Sequence, residues 1–116
     1  MRSILFVDDE IAVLRGLELA LRRERARWRL VFALGAAEAL RELAAAPFDV
    51  IVTDLQMPGM DGVALLARVR DDHPGLKRVV LSGNAESSVV ARASEVAHVV
   101  LGKPCPIAEL RACIGA

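Results

Sequence analysis

The sequence has few aromatic residues, no tyrosine and no excess of charge of either sign. Aromatic residues make up 3% of its 116 residues, and fifteen basic side chains balance fifteen acidic ones. A formal net charge of zero gives the chain no overall attraction to nucleic acid or to an anionic membrane. We therefore expect no direct contact with either.

Long apolar runs and paired cysteines are also missing. No run approaches the roughly 20 residues of a membrane-spanning helix. The N-terminal residues are expected to begin a strand within a few positions and not to form a signal peptide. Cys105 and Cys113, if carried on one helix, would lie about 12 Å apart along its axis, beyond the roughly 7 Å limit for a disulfide. These features predict free thiols and a cytoplasmic protein. Lys103 beside Cys105 favours a thiolate, but an ordinary buried thiol is the preferred interpretation.

One basic cluster stands out, between Arg22 and Arg29. It has two interpretations, a patch for a polyanion or the solvated end of a helix and the turn after it. We prefer the second, because arginine is favoured at helix C-termini.

Two periodicities alternate along the chain. Short apolar runs predict strands at residues 4–7, 30–34, 50–53, 79–81 and 99–101. Helical spacing appears between them, at Ile11, Leu14, Leu17 and Leu21, within 36–46, at Val63, Leu66 and Val69, at Val89, Val90, Ala93 and Val96, and at Ile107, Leu110 and Ile114. Continuous apolar strands that alternate with helices indicate an α/β fold with a parallel sheet covered on both faces. Five such units without a linker predict a single domain over residues 1–116.

Polar side chains follow four of the five predicted strands. Strand one ends in Asp8, Asp9 and Glu10, strand three in Asp54, strand four in Ser82 and strand five in Lys103. The second strand ends without a reactive group. Because ligands of open parallel sheets bind beyond the carboxyl ends of the strands, strand two is expected at an edge. The predicted order is 2-1-3-4-5.

These residue types together predict phosphoryl chemistry. The carboxylates of Asp8, Asp9 and Asp54 would repel one another in one crevice, and Mg²⁺, which prefers oxygen ligands, relieves that repulsion. Lys103 and Ser82 add a positive charge and a hydroxyl donor, which suit a phosphoryl group in its transition state. Asp54 is then the nucleophile. Taken singly, each residue is better explained as a helix cap, a turn hydroxyl or a solvated lysine, and only their joint placement favours a site.

At this point the chain resembles a known family over nearly its whole length. The Asp8-Asp9 pair, Asp54 followed by the run from Met57 to Gly62, Ser82-Gly83 and Lys103-Pro104 resemble a receiver domain of two-component response regulators. The resemblance implies a flavodoxin-like fold of order 2-1-3-4-5 with five helices. It implies transfer of a phosphoryl group to Asp54 from a phosphohistidine of a sensor histidine kinase or phosphotransfer protein, and a signalling domain that does not turn over substrate.

The resemblance also assigns the remaining roles. Mg²⁺ is implied at Asp8 or its bound water, Asp9, Asp54 and the backbone carbonyl of Gln56. Lys103 is implied to contact the phosphoryl group and Ser82 to move towards it. That movement is implied to reset the face of helix 4, strand 5 and helix 5, which engages an output domain or a downstream protein. A homodimer is left open.

Three positions qualify the resemblance. The family carries an aromatic residue three positions before the lysine, and this chain has Val100, which is stiff at χ1 and lacks a ring. Gln56 and Asn84 occupy positions that tune phosphate lifetime, and either water orientation or loop hydrogen bonding would explain them.

Two alternatives remain. The first is a binding module of receiver fold with altered or lost phosphate switching, which Val100 favours. The second, ranked lower, is a phosphohydrolase of the haloacid dehalogenase type, which needs an acid where this chain has Gln56. The run from Leu101 to Leu110 weakly resembles receivers attached to cyclic-di-nucleotide or other enzymatic output domains, so a longer parent regulator is left open.

Overall fold

The computed structural model describes residues 1–57, 59–83 and 87–115. Its strands are β1 (Arg2–Asp8), β2 (Trp28–Leu34), β3 (Val50–Asp54), β4 (Lys77–Ser82) and β5 (Val99–Gly102). Its α-helices are α1 (Ile11–Ala20), α2 (Ala36–Ala45), α3 (Gly62–Asp72), α4 (Ser87–Val96) and α5 (Ile107–Gly115), and a 3-10 helix, Arg22–Ala26, follows α1. The five strands are parallel and lie in the order β2-β1-β3-β4-β5, which confirms the predicted topology.

Alternation along the central strands divides the core into two layers. Phe6 and Val52 point to the face covered by α1 and α5, where Leu110 packs against them. Leu5 and Ile51 point to the opposite face, which α2, α3 and α4 cover. Because both faces are buried, each central strand carries a continuous apolar run in its middle, as the sequence pattern indicated.

The predicted helical patterns are confirmed in most positions, with one exception in α1. Leu14 is buried, but Ile11 is 52% exposed. Ile11 is the first residue of α1, just beyond the carboxyl end of β1, and its side chain is not covered by the core. The side chain of Val89 lies outside the described residues.

The basic cluster between Arg22 and Arg29 is solvated, in agreement with the second interpretation given above. Arg25 pairs with Glu18 at 2.7 Å, and both side chains are about half exposed. The guanidinium carbon of Arg27 lies 4.3 Å from the ring centroid of Trp28, which is itself buried at the start of β2. The 3-10 helix in this segment was not predicted, because it has no apolar periodicity of its own.

Two basic side chains at the amino edge of the sheet hold the ends of the last two helices. Arg78 Nε donates to the Val96 carbonyl at the end of α4 over 2.6 Å, and Lys77 Nζ donates to the Cys113 carbonyl near the end of α5 over 2.6 Å. Cations stabilise helix C-termini, where carbonyls lack intrahelical partners. The apolar pattern began strand four at Val79, so it gave these two residues no role.

His98 supports the same edge, and its contribution is expected to depend on pH. Its Nδ1 accepts a hydrogen bond from the Arg78 backbone N–H at 2.9 Å. Desolvation lowers the pKa of His98, and the positive charges of Arg78 and Lys77 lower it further. Because its folded-state pKa lies below the unfolded one, the unfolded chain binds more protons between them. The stabilisation is complete above the unfolded pKa and is lost progressively as the pH falls from there through the folded-state pKa.

We therefore expect His98→Ala to lower the free energy of unfolding by about 1 kcal/mol at about pH 8, the value of one hydrogen bond. The difference from wild type should shrink as the pH falls below the unfolded-state pKa, because the unfolded chain then binds a proton that the folded-state environment of His98 disfavours. Urea denaturation across this range measures it. His73→Ala, which removes the other histidine, is the matched control, and a difference that grows towards low pH would contradict the assignment.

Candidate functional site

The carboxyl ends of the parallel strands bring together the polar residues that the sequence placed after each apolar run. Asp8, Asp54 and Ser82 are the last residues of β1, β3 and β4, and Lys103 directly follows β5. Strand β2, which ends without such a group, lies at the edge of the sheet. The order of the strands thus places four polar groups side by side.

Lys103 lies between the two central carboxylates. Its Nζ is 3.5 Å from Asp8 Oδ2 and 3.6 Å from Asp54 Oδ2. The side chains of Asp8, Asp54 and Lys103 are 5%, 15% and 30% exposed, so water weakens these contacts less than it would at the open surface. One ammonium therefore faces two carboxylates, and the crevice keeps an excess of negative charge when both are ionised.

The environment of Asp8 makes that excess costly. Burial raises the pKa of Asp8, and the nearby Asp54 charge and a hydrogen bond with Asp9 raise it further. The backbone N–H of Glu10, which donates to Asp8 Oδ1 at 3.0 Å, and the charge of Lys103 act in the opposite direction. Burial has the largest effect on the pKa of Asp8 and disfavours its ionised form. A bound cation would stabilise that ionised form.

The acidic side chains fit a divalent cation. Asp8, Asp9 and Glu10 each offer a carboxylate oxygen, and the three oxygens lie within 4.8 Å of one another. Opposite ligands of Mg²⁺ are separated by about 4.2 Å, twice the usual metal–oxygen distance, so oxygens gathered this closely suit a single ion. Asp54 is not part of this group. Glu10 was not predicted as a ligand, and its place in the same acidic run was the only signal for it.

The backbone around Asp54 fixes its carboxylate. Its Oδ1 accepts a hydrogen bond from the Leu55 N–H at 2.8 Å, while Oδ2 faces Lys103. The Gly62 N–H donates to the Leu55 carbonyl at 2.8 Å, which closes the loop back onto the strand end. Gly59 has a φ of 81°, the left-handed conformation that glycine adopts most readily. The turn after Asp54 therefore leaves one oxygen of the carboxylate directed into the crevice.

Asp61 caps the N-terminus of α3. Its side chain accepts a hydrogen bond from the Ala64 N–H at 2.8 Å, and its carboxylate lies 3.7 Å from Arg92 of α4. The cap satisfies one of the free N–H groups at the helix start. Pro58, which belongs to the same motif, lies outside the described residues.

Ser82 and Val100 border a second small space beside Lys103. Ser82 is buried, and its carbonyl accepts a hydrogen bond from the Lys103 N–H at 2.8 Å. A cavity of about 330 Å³ is lined by Ser82, Val90, Val100 and Lys103. A valine at position 100 therefore leaves room beside the hydroxyl.

The remaining predictions have mixed outcomes. The Gln56 side chain is exposed, and a role for its carbonyl oxygen stays a prediction. Asn84 lies outside the described residues. Cys105 precedes α5 and Cys113 lies within it, and both are free thiols, as predicted. Burial raises the pKa of Cys105, and the charge of Glu109 raises it further, which contradicts the thiolate alternative.

Comparison with known proteins identifies the family. The family model described as the response regulator receiver domain matches residues 4–115. The chain therefore belongs to the receiver domain family of response regulators, a class of signalling domain. Among the described residues, no helix combines the length and apolar character needed to cross a bilayer.

Curated relatives are longer regulators. The DNA-binding transcriptional regulator NtrC of Rhizobium meliloti (strain 1021) is 34% identical over 114 residues, which cover 97% of this chain and 23% of that protein. The transcriptional regulatory protein YesN of Bacillus subtilis (strain 168) is 33% identical over 108 residues, which cover 90% and 29%. The chain thus spans less than a third of the length of these relatives.

Solved structures show the same fold. The signal receiver domain of an HD domain-containing protein from Pseudomonas fluorescens Pf-5 has a TM-score of 0.92 at 30% identity, with 98% of this chain and 91% of that one covered. The response regulator TrrA from Thermotoga maritima, in complex with Mg²⁺-BeF, has a TM-score of 0.86 at 25% identity, with 99% and 97% covered.

Proposed function

We propose that this domain is a phosphorylation switch in which Asp54 accepts a phosphoryl group from a phosphohistidine. The donor is a sensor histidine kinase or a phosphotransfer protein. The observation that carries the proposal is the position of Lys103 Nζ, 3.6 Å from Asp54 Oδ2 and 3.5 Å from Asp8 Oδ2. Membership of the receiver family supports it.

The proposed step follows from the geometry around Asp54. Oδ2, which the Leu55 hydrogen bond to Oδ1 leaves free to face the crevice, attacks phosphorus. A P–O bond forms as the P–N bond of the donor breaks, and its electron pair goes to the histidine nitrogen. Lys103 balances charge on the phosphoryl oxygens, and the Ser82 hydroxyl moves to hydrogen-bond with one of them.

Mg²⁺ is the proposed cofactor. Asp8, Asp9, Asp54 and the backbone carbonyl of Gln56 would hold it, with Glu10 as a further candidate ligand from the acidic group. When bound, the ion supplies positive charge that offsets the crowded carboxylates and the incoming phosphoryl group. The TrrA structure, which contains Mg²⁺-BeF, supports this choice by similarity.

The proposed output is a change at the face formed by α4, β5 and α5. This face would engage an attached output domain or a downstream protein, because a new charge at one site biases a two-state element. We place the domain in the cytoplasm, without direct nucleic acid or membrane contact, and leave a homodimer open. It would assist its own phosphorylation and dephosphorylation without turning over a separate substrate.

A second candidate, a receiver-fold binding module without phosphate switching, is favoured only by Val100. Valine has no ring that could follow the movement of Ser82, and Val90 and Leu101 line the same cavity. The phosphohydrolase remains the lowest ranked, since Gln56 offers no general acid two residues after Asp54.

Intact-mass spectrometry tests the three candidates. We expect wild type incubated with a small acyl-phosphate donor to gain one phosphoryl group only when Mg²⁺ is present, and Asp54→Asn to gain none, because an amide is not a nucleophile for this step. Continuous release of phosphate without an adduct would favour the phosphohydrolase. No adduct, in a mixture that labels a known receiver, would leave the binding module.

A further inference from the structure

A basic hollow lies at the end of the domain opposite to the proposed phosphorylation site. It forms where the 3-10 helix after α1 meets α5, and its lining residues are Leu19, Ala20, Arg22, Arg23 and Arg111. Its volume is about 410 Å³, within the range of small-molecule sites. Three of the five lining residues are arginines, which makes a negatively charged ligand the natural occupant.

Two of these arginines have no partner in the fold. Arg22 and Arg23 are exposed, and neither guanidinium forms an ion pair or a hydrogen bond with a described residue. Basic residues near a helix end often donate to its last carbonyls, and the structure shows such bonds at the ends of α4 and α5. Arg22 and Arg23 make none at the end of α1, so helix capping does not account for them.

The charge of the third arginine is only partly balanced. Arg111 Nη1 lies 3.6 Å from Glu24 Oε1, which is longer than a hydrogen bond, and the other oxygen of Glu24 accepts from Arg27 Nε. One carboxylate therefore faces two guanidiniums. The other nearby acid, Glu18, is paired with Arg25. The hollow thus keeps a surplus of positive charge in a chain whose formal net charge is zero.

The wall of the hollow has an apolar part as well. Leu19 is 64% exposed, and Ala20 lies next to it on the same wall. Guanidinium groups bind phosphate oxygens through paired N–H bonds, which fixes the position of the anion. A bare inorganic ion would leave the leucine and the alanine uncovered, whereas an organic group attached to the phosphate would cover them.

We propose that this hollow binds a small organic phosphate. The phosphate group lies against the guanidiniums of Arg22, Arg23 and Arg111, and the organic group lies against Leu19 and Ala20. The site is separate from Asp54, which ends β3 at the carboxyl edge of the sheet. The inference therefore does not rest on the proposed function.

The test is an NMR titration of the ¹⁵N-labelled chain with phenyl phosphate at low ionic strength, where exposed charges are least screened. EDTA is present, so that no divalent cation carries phosphate into the acidic crevice. We expect saturable shifts at the backbone N–H groups of the hollow with a Kd of about 1 mM or tighter, and none at Asp54. Inorganic phosphate should bind about tenfold more weakly, because it lacks the apolar contact.

Paired substitutions locate the binding. Arg22→Gln combined with Arg23→Gln should weaken phenyl phosphate at least about tenfold, because charge-assisted hydrogen bonds are lost. Neither guanidinium holds a contact in the fold, so this variant should stay folded. Arg41→Gln combined with Arg68→Gln removes the same charge from exposed positions on α2 and α3. This control should bind within about twofold of wild type.

Four results would overturn the proposal. Shifts that do not saturate would show that there is no site. An equal loss in the two double variants would show attraction to net charge only. Equal affinity for inorganic and phenyl phosphate would remove the organic part of the ligand. A single-stranded oligonucleotide or an acidic peptide that shifts the same N–H groups at about a hundredth of the concentration would assign the hollow to a macromolecule.

Discussion

Replacing Lys103 with methionine is expected to lower the rate of Asp54 phosphorylation by a small acyl-phosphate donor about 100-fold or more. Methionine keeps an unbranched apolar stem but removes the ammonium that lies within 3.6 Å of both Asp8 and Asp54. Loss of one preorganised charge or donor at a transition state costs rates of this order. Intact-mass measurement of adduct formation over time, at fixed Mg²⁺, gives the rate.

The chain offers a matched control for this substitution. Lys77 is the other lysine of the sequence, and its Nζ donates to the Cys113 carbonyl near the end of α5. Lys77→Met removes the same charge from the opposite edge of the sheet, so it should weaken stability and leave the phosphorylation rate within about twofold of wild type. Equal losses in the two variants would contradict a local role for Lys103.

Substituting Gly62 with alanine is expected to lower the free energy of unfolding by about 3 kcal/mol or more. A Cβ at Gly62 would lie 2.8 Å from the Leu55 Cα and still closer to the Asp54 carbonyl oxygen. Both are backbone atoms, which cannot rotate away as a side chain does. The strain would fall on the loop that fixes Asp54, so the phosphorylation rate should fall as well. Urea denaturation measures the stability.

Gly16→Ala is the control for Gly62→Ala, and it should have the opposite sign. Its Cβ would meet nothing within 4 Å, and alanine favours the helix by up to about 1 kcal/mol. We expect Gly16→Ala to stabilise the domain and to leave phosphorylation intact. If both glycine variants destabilised the chain equally, the close approach of α3 to the end of β3 would not be the cause.

The sequence contained most of the architecture, because parallel strands buried on both faces leave a strong local pattern. The residue after each apolar run was enough to predict that Asp8, Asp54, Ser82 and Lys103 share one edge, and the strand order confirms that placement. Their chemical roles stay predictions. The sheet turns residues far apart in sequence into neighbours, and this rule is general enough to apply without coordinates.

What the sequence did not contain are contacts that depend on distances in three dimensions. Periodicity does not tell which of three consecutive acids bring their carboxylate oxygens close together, so Glu10 was missed. It does not reveal that the start of α3 approaches the Asp54 backbone too closely for any residue but Gly62. Arg78 was missed because a buried arginine that caps a helix has no apolar signature.

The same limit applies to the output. The end of α4 is held by Arg78, while Val100 and Ser82 border a cavity next to the proposed phosphorylation site. A movement of Ser82 towards a phosphoryl group would reach α4 and β5 through the packing around this cavity rather than through the rotation of an aromatic ring. We therefore expect a physical route that differs from the one that the family resemblance implied, and we expect the phosphoacceptor chemistry itself to be unaffected.

The most direct measurement is to locate the phosphoryl group itself. After reaction with an acyl-phosphate donor and Mg²⁺, reduction with borohydride converts an aspartyl phosphate into homoserine, which peptide sequencing by mass spectrometry detects. The account predicts homoserine at position 54 and unmodified aspartate at positions 8, 9 and 61. Homoserine at position 8, 9 or 61 would contradict it. So would the absence of homoserine from this protein when a known receiver, treated in the same way, is labelled.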